Sequence, residues 1–211
     1  PAGAGKSTVA KILAKKLGFL YIDTGAMYRA LTLKALDTHI DTHNTLLLHR
    51  LARSTTIDLL AASGGALKVL LDGKDVSKAI REPRITKCVS DVAKVKGVLK
   101  VMVQIQRKLG STRDSVLEGR DIGTVVFPDA QIKFFIDAHF TERVSRRVKD
   151  MKNLNLEAIT FKGVARDIKN RDTIDSTRKV APLKKAKDAI YIDTTELSIA
   201  QVVEKLLKEV R

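Results

Sequence analysis

The chain has 211 residues, enough for one large domain with a sizeable core, and no run approaches the roughly 20 apolar residues of a membrane span. Its single cysteine, Cys88, excludes an internal disulfide, and with no leader pattern at the start the expected location is the cytoplasm. The formal charge of +15 would attract anions, but the basic residues are dispersed and lack the interleaved aromatic residues of a single-strand-binding surface. We therefore expect a soluble protein with neither a membrane nor a nucleic-acid partner.

The first seven residues, PAGAGKS, match the phosphate-binding loop G-x-x-x-x-G-K-[ST] from its second position onward. The first glycine of the motif would precede Pro1, and the buried parallel strand that leads into such a loop would occupy about eight earlier residues. In this motif backbone N–H groups form an anion nest, the lysine reaches the terminal phosphates, and the hydroxyl ligates Mg²⁺. The residues predicted to bind ATP are Gly3, Ala4, Gly5, Lys6, Ser7 and Thr8.

The next three elements follow a strand and helix alternation. Apolar residues at helical spacing predict a helix over residues 7–17, ended by Gly18. The run 19–23 predicts a short strand, and residues 26–36 predict a second helix that begins after Gly25. This order predicts an α/β fold with a P-loop parallel sheet flanked by helices, whose first strand lies outside the sequence.

The pattern changes between residues 38 and 95. Strands are expected at 54–60 and 67–71, separated by Ser63-Gly64-Gly65, and Asp72-Gly73-Lys74 is a hairpin turn signal. A small antiparallel insertion fits this segment. Residues 85–109 then predict helical structure that is bent or broken near Gly97.

The remaining segments resume the α/β alternation. Strands are predicted at 115–118, 131–137 and 189–193, and a loop at 119–123 follows the first of them. A basic helix at 141–151 carries three arginines, and a second helix is expected at 156–171 before a polar bend at 172–179. A terminal helix over 198–210 closes the chain. The three arginines are Arg143, Arg146 and Arg147.

The P-loop indicates a nucleoside triphosphate but does not identify the acceptor. The chain has no N-K-x-D base-reading signature of a GTPase, and no hydrophobic strand that ends in Asp-Glu as in ATPase motors. Arginines recur in several later segments, which suits a site where two phosphate groups meet. These features favour a kinase for a small phosphorylated acceptor.

Three segments together resemble bacterial cytidylate kinases. They are DTGAMYR at 23–29, EGRDIGTVVFPDA at 118–130, and the stretch from Arg171-Asp172 through Arg178 to Ala181-Pro182-Leu183. The resemblance extends from the P-loop to the terminal helix. It implies an enzyme that uses ATP and Mg²⁺ to phosphorylate CMP or dCMP, and a monomer is the default expectation for so compact a kinase. It also implies a core of residues 1–37, 96–142 and 172–211, a nucleoside monophosphate (NMP) binding insertion at 38–95, and a helical lid at 143–171.

The resemblance assigns roles to matching positions. It places Arg29, Arg120 and Arg178 on the acceptor phosphate, Asp121 on the cytosine amino group, and Arg171 and Asp175 on the ribose hydroxyls. Thr24 and Ser90 stand where the family has hydroxyl contacts to the base or nearby. Arg143, Arg146 and Arg147 lie where a lid arginine reaches the transferring group, and Glu118 is a candidate outer-sphere carboxylate for Mg²⁺. Arg171 and Asp175 are four residues apart, so an ordinary helical ion pair is the alternative there.

One position departs from the family pattern. Many members have an arginine that helps to read cytosine where this chain has Leu99, seven residues before Gln106. Kinases for UMP, AMP or a metabolite therefore remain alternatives, as does a nucleic-acid-binding ATPase. A coupled assay against several mononucleotides separates these classes.

Overall fold

The computed structural model describes residues 1–61, 67–153 and 159–210. Eight α-helices and seven strands occur in these ranges. The helices are α1 Lys6–Leu17, α2 Thr24–Asp37, α3 Thr45–Arg53, α4 Pro83–Ala93, α5 Lys96–Gly110, α6 Phe140–Asn153, α7 Phe161–Thr177 and α8 Ile199–Val210. The strands are β1 Leu20–Asp23, β2 Ile57–Ala61, β3 Leu67–Leu71, β4 Lys74–Asp75, β5 Ser115–Glu118, β6 Phe134–Asp137 and β7 Ile190–Asp193.

Parallel pairing confirms the predicted α/β class. Strand β1 pairs with β5 so that Asp23 lies opposite Glu118, and β6 pairs with β7 so that Asp137 lies opposite Asp193. The carboxyl ends of parallel strands share one edge, which is where ligands bind in such folds. This register brings two acidic residues of the candidate site together.

A small antiparallel sheet of order β2-β3-β4 forms the predicted insertion. Asp72, at φ 49°, and Gly73, at φ 81°, make the tight turn between β3 and β4. The predicted separator Ser63-Gly64-Gly65 lies outside the described residues. The insertion also contains helix α3, which the sequence analysis missed. Asn44 caps α3 by accepting a hydrogen bond from the Leu47 amide at 3.0 Å.

The predicted helical stretch 85–109 is two helices. Helix α4 ends at Ala93 and α5 begins at Lys96, with Val95 extended between them, so the expected break near Gly97 is confirmed. On α5, Gly97 packs under His49, where a Cβ atom would lie 2.5 Å from the imidazole. The glycine therefore permits close contact between α3 and α5.

The polar bend predicted at 172–179 is wrong for most of its length, because α7 continues to Thr177. Its last turns are held by ion pairs of Asp172 with Arg143 and of Asp175 with Arg120, contacts that local sequence does not reveal. The expected start of this helix at Leu156 lies outside the described residues. Strand β6 is shorter than predicted, and α2 begins two residues earlier because Asp23 caps it.

Three apolar clusters hold the elements together. The largest joins α2, α4 and α5 to the antiparallel sheet, a second lies between α1, α8 and the parallel strands, and a third lies under α6 and α7. Burial of these side chains is the main stabilising contribution. In the described ranges, no helix is long and apolar enough to cross a membrane.

Candidate active site

The P-loop adopts the conformation that its glycines permit. Gly3 and Gly5 have φ angles of 75° and 82°, and Gly5 immediately precedes α1. A Cβ atom on Gly3 would lie 2.6 Å from the carbonyl oxygen of Arg143, so the loop packs directly against α6. The positive φ values and this close approach both require glycine.

Lys6 begins helix α1 and its ammonium lies inside the loop. Its Nζ donates a hydrogen bond to the carbonyl oxygen of Pro1 at 2.5 Å. Desolvation, followed by repulsion from Arg120, lowers the pKa of Lys6 to about 7, although Glu118 acts in the opposite direction. A bound phosphate would supply the negative charge that this environment lacks.

Oxygen ligands gather beside Lys6. The Ser7 hydroxyl donates to Glu118 Oε1 at 2.5 Å, and Asp23 lies opposite Glu118 in the sheet register. Burial, followed by the charge of Glu118, raises the pKa of Asp23 to about 6. Among the residues that the structure describes, no cluster of three or more His, Cys, Asp or Glu side chains could hold a metal unaided. One hydroxyl and one or two carboxylates fit Mg²⁺, which commonly completes its shell with substrate phosphates and water.

Four arginines from four elements surround the same space. They are Arg29 on α2, Arg120 after β5, Arg147 on α6 and Arg171 on α7. Burial, then Arg120 and Arg29, lowers the pKa of Arg171 to about 10, and burial followed by Arg147 lowers the pKa of Arg29. Such mutual repulsion among desolvated cations favours binding of a polyanion.

Two carboxylates neutralise part of this charge. Arg120 Nε donates to Asp175 Oδ2 at 2.7 Å, and Arg178 Nη2 lies 3.6 Å from Asp121 Oδ1. The second oxygen of Asp121 has no hydrogen-bond partner among the described residues, although the side chain is buried. Burial raises the pKa of Asp121, and Arg178 opposes the shift. The structure therefore pairs Asp175 with Arg120, rather than with Arg171.

The predicted hydroxyl residues lie in different settings. Thr24 is buried and donates to the Glu118 carbonyl at 2.7 Å, which fixes α2 to the end of β5. Ser90 is half-buried on α4. Arg29 donates to the Thr86 hydroxyl at 3.0 Å, also on α4. Leu99 is 2% exposed and belongs to the largest apolar cluster.

The three arginines of α6 have different surroundings. Arg143 is buried and donates to the carbonyl oxygens of Ala138 and Ala2 and to Asp172. Arg146 donates to Glu142 at 2.8 Å and to the Thr194 carbonyl at 2.6 Å. Arg147 lies close enough to Arg29 and Arg171 to lower the pKa of each. Arg147 thus faces the cation cluster, whereas Arg143 fixes the P-loop to α6 and α7.

Two polar residues of the site received no role in the sequence analysis. The Tyr28 hydroxyl and the Gln106 amide are buried without a hydrogen-bond partner among the described residues. Gln106 interrupts the apolar face of α5, four residues after the buried Met102. A polar residue at a core position was the signal that could have identified it.

Comparisons with known proteins agree with this geometry. The family model described as cytidylate kinase matches residues 1–211. A cytidylate kinase of Desulforamulus reducens is 49% identical over 207 residues, which cover 98% of this chain and 92% of the relative. A cytidylate kinase of Caldanaerobacter subterraneus subsp. tengcongensis is 48% identical, over 100% of this chain and 92% of the relative. One of Lactobacillus gasseri is 47% identical, over 98% of this chain and 89% of the relative.

Proposed function

The chain belongs to the cytidylate kinase family, and from this premise we infer that it transfers the γ-phosphoryl group of ATP to CMP or dCMP. The products are ADP and CDP or dCDP. The observation that carries this inference is the convergence of Lys6 and the four arginines Arg29, Arg120, Arg147 and Arg171 on one partly buried space. A site that joins a triphosphate to a monophosphate needs this excess of positive charge.

The transfer is an in-line attack by an acceptor phosphate oxygen on the γ-phosphorus. That oxygen is already ionised near neutral pH, so the reaction needs no general base. The protein contributes positioning and charge neutralisation: the P-loop residues Gly3 to Thr8 hold the donor phosphates, and Lys6 and Arg147 stabilise the transferring group. Arg146 lies beside Gly5 and adds positive charge next to the donor phosphates. Arg143 fixes the P-loop against α6.

The acceptor occupies the other side of the cluster. Arg29 and Arg120 bind its phosphate, because planar guanidinium groups can contact two oxygens at once. Asp121 accepts a hydrogen bond from the cytosine amino group with its unpartnered oxygen, and the nearby Arg178 favours the ionised form of that carboxylate. Arg171 and Asp175 bind the ribose hydroxyls, with Arg178 also near the phosphate. Thr24 and Ser90 lie at the end of the site that holds the nucleobase.

Mg²⁺ bound here would neutralise charge on the donor phosphates during the transfer. The Ser7 hydroxyl would hold it directly, and Glu118 would act from the outer sphere. The 2.5 Å hydrogen bond between Ser7 and Glu118 supports this assignment, because it holds the two oxygens next to each other. We propose that the enzyme acts as a monomer in the cytoplasm.

A coupled assay of ADP release tests the function. With CMP, dCMP, UMP, AMP and GMP as separate acceptors, CMP and dCMP should give the highest kcat/KM. Lys6→Ala should lower kcat on the order of 100-fold or more with every acceptor, whereas Lys16→Ala, an exposed residue on the same helix, should not. Equal kcat/KM for CMP and AMP would refute the specificity. ATP hydrolysis stimulated by DNA or RNA, without any mononucleotide, would instead support a nucleic-acid-dependent ATPase.

A further inference from the structure

The interior of the acceptor side contains a polar group that the mechanism above does not use. Gln106 is 1% exposed, yet neither its Nε2 nor its Oε1 has a hydrogen-bond partner in the described parts of the chain. The hydroxyl of Tyr28, which is also buried, is unpartnered in the same way. A buried polar group without a partner destabilises the folded protein, so three such atoms at one place require an explanation.

The position of Gln106 is fixed by its neighbour on α5. Arg107 donates through Nε and Nη2 to the carbonyl oxygens of Val126 and Val125, each at 2.8 Å. These carbonyls belong to the π-helical turn Ile122–Val126, which begins directly after Asp121. Successive helical residues project about 100° apart, so anchoring Arg107 on this turn also sets the direction of Gln106.

Tyr28 connects Gln106 to the base end of the site. Its hydroxyl lies near the Gln106 amide, and both Asp121 and Arg178 are close enough to affect its pKa. The unpartnered oxygen of Asp121, the Tyr28 hydroxyl and the Gln106 amide therefore lie in one region. Leu99 is two turns earlier on the same face of α5 and is packed in the apolar cluster, so it offers no hydrogen bond there.

We propose that the Gln106 amide, which lies beside the Tyr28 hydroxyl, binds the hydrogen-bonding edge of the pyrimidine base of the acceptor. This inference rests on the proposed function. Cytosine presents an acceptor at N3 and a donor at its 4-amino group, and an amide offers the complementary donor and acceptor side by side. Nε2 donates to N3, Oε1 accepts one amino hydrogen, and Asp121 accepts the other.

The chemistry of the amide separates its role from that of Asp121. Rotation of the Gln106 amide exchanges its donor and acceptor, so it can also match uracil, which has N3–H and a 4-oxo group. A carboxylate only accepts, so Asp121 is attracted to the 4-amino group and repelled by a 4-oxo group. Gln106 therefore supplies affinity for either pyrimidine, and Asp121 supplies the preference for cytosine.

Gln106→Met tests the inference, because methionine has a similar shape but no hydrogen-bonding amide. We expect KM for CMP to rise roughly 10- to 100-fold, the range for losing one two-point base contact, while KM for ATP and kcat stay within about threefold. The ratio of kcat/KM for CMP to that for UMP should be nearly unchanged. Asp121→Asn should lower that ratio. Gln104→Met is the matched control, since Gln104 is exposed on the same helix.

Thermal unfolding separates base binding from a structural role. In Gln106→Met the stabilisation by CMP should shrink while the stabilisation by ATP persists, and Tyr28→Phe should weaken CMP and UMP together by a smaller factor. Wild-type KM for CMP in a folded Gln106→Met protein would overturn the inference and leave the proposed function intact. An equal loss of the thermal stabilisation by CMP and of that by ATP would also overturn the inference, because it would indicate a purely structural role for Gln106. If the wild-type protein did not phosphorylate CMP, the proposed function itself would fail.

Discussion

Arg120 and Asp175 form an ion pair at 2.7 Å that joins the loop after β5 to helix α7, and both side chains are largely buried. The same two residues are proposed to bind different parts of the acceptor, the phosphate and the ribose. Acceptor binding would therefore exchange this internal pair for two contacts with substrate. The pair keeps both groups in place and limits the cost of an empty, highly charged site.

A double-mutant cycle measures this exchange. Arg120→Ala and Asp175→Ala should each destabilise the free protein, with a coupling energy of about 1–3 kcal/mol, because either change leaves a buried charge without its partner. In the presence of saturating CMP the coupling should fall. Chemical denaturation with and without CMP provides the measurement. An unchanged coupling energy would indicate that the pair persists in the complex.

Two arginines on α6 should respond differently to substitution. Arg143→Ala should destabilise the protein by about 3 kcal/mol, because it leaves Asp172 Oδ2 and the carbonyl oxygens of Ala2 and Ala138 without their Arg143 donor. Arg147→Ala should instead lower kcat on the order of 100-fold or more, with little loss of stability. Unfolding curves and steady-state kinetics distinguish them, and exposed Lys149→Ala is the control. A reversed pattern would exchange the two roles.

The P-loop glycine at position 3 should tolerate no side chain. Gly3→Ala places a Cβ atom 2.6 Å from the Arg143 carbonyl oxygen, while Gly18→Ala, at a similar φ of 70°, has no described atom within 4 Å. Gly18→Ala should lower the free energy of unfolding by only about 1–2 kcal/mol, because alanine is strained at a positive φ. Gly3→Ala should cost clearly more and also weaken ATP binding. Equal losses of unfolding free energy in the two variants would contradict the contact.

Asp121 should make the free protein more stable at low pH than at neutral pH. Because its folded pKa is raised above the ordinary 3.8, its contribution is complete below pH 3.8 and is lost as pH rises through the folded pKa. Asp121→Asn avoids that loss, so its Tm should exceed the wild-type value near pH 7, but not near pH 4. Exposed Asp129→Asn should show no such trend in thermal scans from pH 4 to 8. A Tm difference between Asp121→Asn and the wild-type protein that stays constant across pH would contradict the prediction.

Glu118 should determine the requirement for Mg²⁺. Glu118→Gln should raise the Mg²⁺ concentration that gives half-maximal activity by about 10- to 100-fold, which is the usual effect of changing an outer-sphere group. Excess Mg²⁺ should restore much of the rate. Asp114→Asn, an exposed change just before β5, provides the control in a metal titration at saturating ATP and CMP. An unaltered titration curve would remove Glu118 from the metal site.

Much of the fold follows from local patterns. Helical spacing identified α1 and α5, short apolar runs identified β1, β5 and β7, and Asp72-Gly73 identified the turn in the insertion. The apolar residues of helix α3 lie among His49 and other polar residues, which obscures its helical spacing, although Asn44 is an N-cap signal for it. The end of α7 was misplaced because ion pairs with distant residues stabilise its polar last turns.

The sequence by itself determined the donor chemistry and the family, since the P-loop geometry is local and the arginine and aspartate segments are contiguous. Only the tertiary structure decided how those charges are paired: Arg120 with Asp175, Arg143 with Asp172, and Arg147 with no partner among the residues that the structure describes. It also placed the Gln106 amide beside Tyr28 in the interior. The reason is physical: pairing and desolvation depend on which helices and strands meet, and spacing along the chain carries no such information.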